Sequence, residues 1–385
     1  MPRRTHRTAA AALISAALLT CLTAAPTASA KPTNGESTWA ALGDSISSGY
    51  GITSVSPNPS AWGAQCGRAD GATSNEAAMP VIAQKQLASS GISYRQAFTA
   101  CAGATTDDWA IQLAEAYRQL GVKINTPIEP GTPTRTSSLV KELDGIAASG
   151  NRFDLITMTF GANNAALGAL GELCMDTKNV QGESLDWDSP GWGSCDVPPE
   201  QATKILDTLT QGNASVPLPA GQVPLWSANP DQGEVEPLLS ALARFVKPGG
   251  RILIMGYPQI ITDPNHSSLA QRWNKIPGLY ATAGSCNGMP PESMKRVRET
   301  ITELNTGIHK AAEKAQAALS HNGVTVGYVD MNTALGFESA GSFHGVCSQE
   351  PWVNDPFTQY GPLHPNAQGH AQAGKALAEL VRSSK

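Results

Sequence analysis

A short polar motif directly follows an apolar run near the start of the chain. The run Trp-Ala-Ala-Leu at residues 39–42 leads into Gly43-Asp44-Ser45 and then a glycine-rich turn. This pattern is expected where a buried strand ends and presents a small polar side chain at the carboxyl edge of a sheet. A serine hydroxyl there becomes a nucleophile when a base takes its proton and donors stabilise an oxyanion. Ser45 is therefore a candidate nucleophile, and the alternative is a Ser/Asp-rich turn that caps a helix.

Three further polar clusters follow in a particular order. Ala-Gly-Ala-Thr-Thr at residues 102–106 follows an apolar stretch, and Gly-Ala-Asn-Asn at residues 161–164 follows the strand-like residues 155–160. His-Pro-Asn at residues 364–366 opens the last predicted helix. Together with Gly-Asp-Ser, these clusters resemble the successive blocks of the SGNH (GDSL-type) serine hydrolases, and the likeness extends over nearly all of the chain after about Trp39. Met-Gly-Tyr-Pro-Gln at residues 255–259 adds a likeness to the secreted bacterial lipases and esterases of that family.

The resemblance implies a site and a mechanism. It assigns the nucleophile to Ser45 and the base to His364. It forms the oxyanion hole from the backbone N–H groups of Ser45 and Gly103 and from the side-chain amide of Asn163. Such a site would hydrolyse an ester through an acyl-enzyme on Ser45. The resemblance implies no metal and no organic cofactor.

The group that orients the histidine departs from the family pattern. The family usually has an aspartate three residues before the histidine, and this chain has Gly361 there. Two acceptors remain for the imidazole N–H: a backbone carbonyl of the loop at residues 360–363, which includes Gly361, or the carboxylate of Asp355. We favour the carbonyl, which would make the site a Ser-His dyad instead of a triad.

The N-terminus has the features of an export signal. Three arginines precede an apolar run at residues 9–22, and Ala28-Ser29-Ala30 supplies small residues for cleavage. Residues 1–30 are therefore predicted to be a signal peptide that is cleaved near Ala30. The run is short for a membrane span of about 20 residues. We expect a secreted, extracellular protein with no stable membrane anchor, and the choice between the Sec and the twin-arginine routes stays open.

The charge balance disfavours anionic partners. Removing residues 1–30 takes away three of the 27 basic residues and none of the 32 acidic ones, so the mature chain has a formal charge of −8. An acidic surface repels phosphate backbones and anionic lipid headgroups. We therefore expect no nucleic-acid partner.

The cysteines indicate disulfides. Six remain after the signal peptide is removed, and an even set in an exported protein predicts three disulfides, for which 15 pairings exist. Zinc is the alternative, but no Cys-x-x-Cys spacing supports it. The family resemblance suggests pairing in sequence order: Cys66 with Cys101, Cys174 with Cys195, and Cys286 with Cys347.

Strand-like and helix-like segments alternate along the chain. This alternation predicts an α/β fold, a three-layer α/β/α sandwich with a mostly parallel sheet, and the resemblance implies the flavodoxin-like sheet of the SGNH hydrolases. We expect the first strand to end at Ser45. Residues 31–385 are predicted to form a single catalytic domain with irregular insertions near residues 170–232 and 262–291.

One segment supports a different enzyme class. Residues 246–256, Val-Lys-Pro-Gly-Gly-Arg-Ile-Leu-Ile-Met-Gly, resemble a motif of methyltransferases that use S-adenosylmethionine. We favour a structural interpretation, in which Pro-Gly-Gly stops a helix before a buried strand. A glycine-rich nucleotide loop after the first strand, which that cofactor class would need, is missing from the sequence.

The combined prediction is a secreted serine hydrolase, an esterase or lipase, that cleaves carboxylic esters as a monomer. Its substrate would be a small-molecule or lipid ester. A phospholipase or an esterase of carbohydrates or plant polymers would use the same site. The alternative from another class is a secreted binding protein that has kept the fold and lost catalysis.

Overall fold

A parallel five-stranded sheet lies at the centre of the protein. The computed structural model describes residues 36–52, 56–57, 67–71, 76–127, 137–163, 235–264, 291–339, 341–355, 358 and 361–383. The strands are β1 (Ser37–Ala41), β2 (Tyr94–Phe98), β3 (Phe153–Met158), β4 (Val246–Met255) and β5 (Thr325–Val329). Their order is β2-β1-β3-β4-β5, and every pairing is parallel. The predicted α/β fold with a flavodoxin-like sheet is confirmed.

The strand sequences explain why the sheet is buried on both faces. In β3 the side chains of Leu155, Ile156 and Met158 are fully buried, as a strand covered by helices on both sides requires. Its neighbour β1 contributes the buried Trp39, whose indole N–H donates to Thr157 Oγ1 at 2.9 Å. This bond satisfies the one polar group of the tryptophan inside the core.

Seven α-helices of the described residues surround the sheet. They are α1 (Ser45–Ser48), α2 (Met79–Ser89), α3 (Trp109–Gln119), α4 (Ser137–Ala148), α5 (Val235–Ala243), α6 (Pro291–Leu319) and α7 (Ala367–Ser383). Helix α2 packs against α7, and α5 packs against α6. Parallel crossovers are right-handed, and the chain moves one way along the sheet from β1 to β2 and the other way from β2 to β5. Helix α2 therefore lies on one face of the sheet, and the helices that follow β2, β3 and β4 lie on the other face. This gives three layers.

Helix α7 is the element that carries the end of the chain back to the sheet. Asn366 caps it, because its Oδ1 accepts from the Gly369 N–H at 2.9 Å. Gly374 lets α7 approach α2 closely, since a Cβ at that position would lie 2.6 Å from Ile82 Cβ. The residue that precedes the cap by two positions, His364, is thereby held at the carboxyl edge of the sheet.

Two local predictions are wrong. Strand β1 ends at Ala41, and Ser45 is the first residue of the one-turn helix α1. Asp44 caps this helix, so the capping alternative for Gly-Asp-Ser is observed, and the role of Ser45 as nucleophile stays a prediction. The segment Pro248-Gly249-Gly250 lies inside β4, where the pairing with β3 shifts register, so it does not stop a helix. Helix α5 has already ended at Ala243.

Several predictions concern residues that the structure does not describe. Residues 1–30 and most of the two predicted insertions lie outside the described residues, so the signal peptide and the insertions stay predictions. Within the described ranges, no helix combines the length and the hydrophobicity that crossing a bilayer requires.

Candidate active site

The turn that carries Ser45 is held against the end of β3. Gly43 has φ +125°, and a Cβ there would lie 2.6 Å from the carbonyl oxygen of Thr159, so the close approach requires glycine. Gln112 bonds both backbone groups of Gly43, accepting from its N–H at 2.7 Å and donating to its carbonyl at 2.8 Å. Asp44 caps α1 through the Ile46 N–H at 3.0 Å. These bonds hold the start of α1 in place, and Ser45 is the first residue of that helix.

Ser45 and His364 meet although 319 positions separate them. Ser45 Oγ lies 2.8 Å from His364 Nε2. His364 Nδ1 lies 2.8 Å from the carbonyl oxygen of Pro362, which can only accept, so Nδ1 carries the proton and Nε2 is free to accept from the serine. This is the tautomer that a general base for Ser45 needs.

The loop before His364 is folded back on an earlier segment. The Asn354 N–H donates to the His364 carbonyl at 2.8 Å, and Val353 and Pro365 form an antiparallel bridge. The Asn354 amide also donates to the carbonyls of Gly51 at 2.7 Å and Gly361 at 3.2 Å. These bonds hold the histidine loop beside the turn that follows α1.

The two candidate orienting groups have different positions. Gly361 has φ +56°, and its carbonyl accepts from the His364 backbone N–H at 3.2 Å. The carbonyl that meets the imidazole is that of Pro362, one residue later. Asp355 follows Asn354 and so lies on the segment that folds back. Its own carbonyl accepts from the Thr358 N–H at 3.0 Å.

The surroundings of His364 favour its neutral form. Burial lowers the pKa of His364, and its bond to the Pro362 carbonyl partly opposes that effect. Tyr50 packs against the imidazole edge-on, with ring centroids 5.0 Å apart and an interplanar angle of 89°. Tyr50 is 36% exposed, so it forms a wall of the site that solvent can reach.

Gly103 and Asn163 lie on neighbouring turns at the same edge of the sheet. Gly103 has φ +82° and follows β2, in a turn tied to the serine turn by the Cys101 N–H, which donates to the Gly43 carbonyl at 2.9 Å. Asn163 follows β3, and its Nδ2 donates to the Ala104 carbonyl at 2.7 Å. The structure thus brings Ser45, Gly103, Asn163 and His364 to one edge.

One pair of buried residues at this edge was missed by the sequence analysis. The Tyr257 hydroxyl donates to Asp44 Oδ2 at 2.5 Å, and both residues are almost fully buried. Burial raises the pKa of Asp44 to about 6, although bonds from Thr159 and Tyr257 oppose the shift. The same burial and the neighbouring carboxylate raise the pKa of Tyr257. Tyr257 lies in the Met-Gly-Tyr-Pro-Gln segment, which was noted only as a family likeness.

Two predicted disulfide cysteines lie in the described residues. Cys101 and Cys347 are each disulfide-bonded. The partners predicted for them, Cys66 and Cys286, lie outside the described residues, as do Cys174 and Cys195. The pairing therefore stays a prediction.

The sequence matches the model of a known family over most of its length. A model of the family described as GDSL-like Lipase/Acylhydrolase matches residues 40–377. The chain belongs to this family. A search of curated proteins found no match.

Two solved structures share the fold of this chain. An extracellular lipase from Streptomyces rimosus is 20% identical, with a TM-score of 0.51, and the alignment covers 91% of this chain and 100% of that one. A phospholipase A1 from Streptomyces albidoflavus is 18% identical, with a TM-score of 0.50 and the same coverages. At these identities the likeness establishes the fold of the GDSL-like chain and not its substrate.

Proposed function

We propose that this protein is a secreted carboxylic ester hydrolase that acts through an acyl-enzyme on Ser45. The observation that carries the proposal is the 2.8 Å contact between Ser45 Oγ and His364 Nε2, with the other ring nitrogen occupied by the Pro362 carbonyl. A hydroxyl is a weak nucleophile until a base within hydrogen-bond reach removes its proton. The contact with Ser45 places the base within reach, and the bond to the Pro362 carbonyl fixes the tautomer that the base needs.

The reaction divides into two displacements. His364 Nε2 takes the Ser45 proton as Oγ bonds to the ester carbonyl carbon, and the carbonyl π electrons move to the oxygen. When the tetrahedral intermediate collapses, the bond to the leaving alkoxy oxygen breaks and His364 gives that oxygen its proton. Water then attacks the acyl-enzyme in the same way and releases the carboxylic acid and free Ser45.

Three donors are proposed to stabilise the oxyanion: the backbone N–H groups of Ser45 and Gly103, and the amide of Asn163. An amide nitrogen carries two hydrogens. One hydrogen of Asn163 Nδ2 holds the Ala104 carbonyl, which fixes the amide, and the second remains for the substrate. Outside residues 102–104, no described atom lies within 4 Å of the place where a Gly103 Cβ would be, so the turn leaves room for a substrate there.

Secretion is proposed on two grounds. The N-terminal sequence predicts a cleaved signal peptide. In addition, Cys101 and Cys347 are disulfide-bonded, and such bonds persist chiefly in oxidising compartments outside the cytosol. Extracellular esters are therefore the proposed substrates. The accessible ring of Tyr50 beside His364 offers them an apolar contact.

Fluorophosphonate labelling tests the nucleophile. We expect the reagent to label the wild-type protein on Ser45 and to leave Ser45→Ala unlabelled and inactive on p-nitrophenyl esters. Ser48→Ala is the matched control, because it removes another buried hydroxyl from the same helix, one that donates to the Ser45 carbonyl at 3.1 Å. It should retain labelling and activity. A wild-type protein that takes no label and hydrolyses no ester would instead support the binding protein, and an active Ser45→Ala variant would remove Ser45 as the nucleophile.

The substrate class is resolved by a panel. It contains p-nitrophenyl esters of increasing acyl length, a triacylglycerol, a phospholipid and acetylated xylan. The phospholipid is included because one of the two similar folds is a phospholipase A1. The highest kcat/KM in the panel identifies the ester class, and hydrolysis of none of these substrates by the wild-type protein would contradict the proposed activity.

A further inference from the structure

The turn that carries Asn163 is hydrogen-bonded to a phenol from the segment that follows β4. The backbone N–H of Ala162, the residue directly before Asn163, donates to the Tyr257 hydroxyl at 2.8 Å. Tyr257 follows β4 and is 2% exposed, so water does not compete for this bond. The Tyr257 hydroxyl therefore restrains the peptide that precedes Asn163, the proposed oxyanion donor.

The same hydroxyl is bonded to the turn that carries the nucleophile. It donates its only hydrogen to Asp44 Oδ2 at 2.5 Å, and Asp44 directly precedes Ser45. The other carboxylate oxygen accepts from the Thr159 hydroxyl at 2.6 Å and from the Ile46 N–H at 3.0 Å. The phenol thus bridges the residue before the nucleophile and the residue before the proposed oxyanion donor.

Tyr257 is itself held rigidly. Asn305 accepts from the Tyr257 N–H at 2.7 Å and donates to the Tyr257 carbonyl at 2.8 Å. The preceding Gly256 admits this contact, because a Cβ there would lie 2.7 Å from Asn305 Oδ1. A phenol on a fixed backbone in a packed interior can transmit its position to both turns.

We propose that Tyr257 is a positioning residue, which holds the oxyanion turn at residues 161–163 in place relative to the nucleophile turn at residues 43–45. This inference rests on the proposed ester hydrolysis. Oxyanion donors act only when they already point at the position where charge develops, so an amide turn that is free to shift loses transition-state stabilisation without losing substrate binding. Tyr257 touches no reacting atom and acts through Ala162 and Asp44.

The test compares two buried tyrosines. Tyr257→Phe removes only the hydroxyl that joins the two turns. The control is Tyr117→Phe, because Tyr117 is 1% exposed and donates to the Asn151 carbonyl at 2.7 Å. Asn151 lies just before the amino end of β3, at the opposite edge of the sheet from the proposed site. Tyr257→Phe loses two hydrogen bonds and Tyr117→Phe loses one, so both should melt at a lower temperature than the wild type. Kinetics are measured well below the lower melting temperature.

We expect Tyr257→Phe to lower kcat on a p-nitrophenyl ester by about tenfold or more with KM within about twofold, since the substrate still binds. Tyr117→Phe should keep kcat. Equal kcat values in the two tyrosine variants would overturn the positioning role.

A double-mutant cycle shows whether Tyr257 acts through the oxyanion amide. In an Asn163→Ala background the amide has gone, so Tyr257→Phe should change kcat by less than about twofold, because residues that act as a unit are not additive. A full additional tenfold loss in that background would overturn the inference. The Ser45→Ala variant distinguishes failure of the proposed hydrolysis from failure of the positioning role. If Ser45→Ala is inactive, the double-mutant cycle tests only the role of Tyr257. If Ser45→Ala is active, the proposed hydrolysis through Ser45 is wrong, and this inference is wrong with it.

Discussion

His364 Nδ1 donates to the carbonyl oxygen of Pro362 at 2.8 Å, within its own loop. A carbonyl fixes the tautomer of the imidazole as an aspartate would. It carries no full charge, however, and so stabilises the imidazolium of the transition state less strongly. The bond is consistent with a glycine at the position usually taken by an acid, and it supports the proposed Ser-His dyad.

The dyad predicts a small effect at Asp355. Because the Pro362 carbonyl already accepts from Nδ1, Asp355→Asn should lower kcat by less than about tenfold. Replacing a true triad acid by asparagine can cost about 10⁴ in turnover. Steady-state kinetics on one ester, with circular dichroism to confirm folding, distinguishes the two. A loss near the larger figure in a folded variant would make Asp355 the third catalytic residue.

Placing the family's aspartate at residue 361 should destabilise the protein and lower its activity. Gly361 has φ +56°, and a Cβ there would lie 2.5 Å from the backbone nitrogen and Cα of Gly51. We expect Gly361→Asp to lower both the melting temperature and kcat. Gly341→Asp is the control: Gly341 also has positive φ, at +82°, but no described atom lies within 4 Å of its Cβ position. A Gly361→Asp variant that is as stable as this control and more active than the wild type would contradict the prediction.

Loss of the proposed oxyanion amide should reduce turnover strongly. Asn163→Ala is expected to lower kcat by about 10²–10³-fold, the usual cost of removing one oxyanion donor, with a smaller change in KM. Asn125→Ala, which removes an exposed amide bonded to Glu142 at 3.0 Å, controls for the substitution. An Asn163→Ala variant with nearly normal kcat would remove this residue from the proposed site.

The pH dependence of kcat/KM should reflect the burial of His364. The base acts only when neutral, so activity falls as the pH falls through its pKa. Because desolvation lowers that pKa below the ordinary value of 6.5, the midpoint of the acidic limb should lie below pH 6.5. The measurement is kcat/KM from pH 4 to 8 on an ester without ionisable groups. A midpoint above 6.5 would show that a charged partner stabilises the imidazolium.

His370 should make the protein sensitive to acid. It is fully buried, its Nδ1 accepts from the Met79 N–H at 3.3 Å, and burial together with the nearby His364 lowers its pKa to about 3. The unfolded chain takes up this proton near pH 6.5 and the folded chain does not. The unfolded state therefore binds more protons in this window, and stability is lost as the pH falls below 6.5. Between pH 7 and pH 5 this histidine alone should cost about 2 kcal/mol.

His370→Gln isolates that contribution, because glutamine can accept from the same N–H and does not titrate. The free energy of unfolding, measured with urea at pH 7 and pH 5, should fall less in the variant than in the wild type. Asp44 works in the opposite direction, because its raised pKa stabilises the fold as the pH falls through about 6, but it is common to both proteins and cancels. His321→Gln, at an exposed position, is the control. If the free energy of unfolding falls equally in the wild type and in His370→Gln, His370 must already be protonated in the folded state at pH 5.

Much of the candidate site follows from local sequence. The apolar runs before Gly-Asp-Ser and before Gly-Ala-Asn-Asn predict buried parallel strands, and such strands deliver the polar residues that follow them to one edge. Because that rule depends only on the ends of strands, it brings Ser45, Gly103 and Asn163 together without any knowledge of packing. The helix-start pattern at residues 364–366 adds His364.

Packing decided the rest. The sequence left two acceptors open for His364, and the choice of Pro362 depends on how residues 353–354 pair with residues 363–365. The bond between Asp44 and Tyr257 joins residues 213 positions apart, and no periodic pattern encodes such a contact. Strand ends are set by neighbouring residues, whereas a hydrogen bond between two buried side chains exists only after the sheet order and register have placed their backbones within reach.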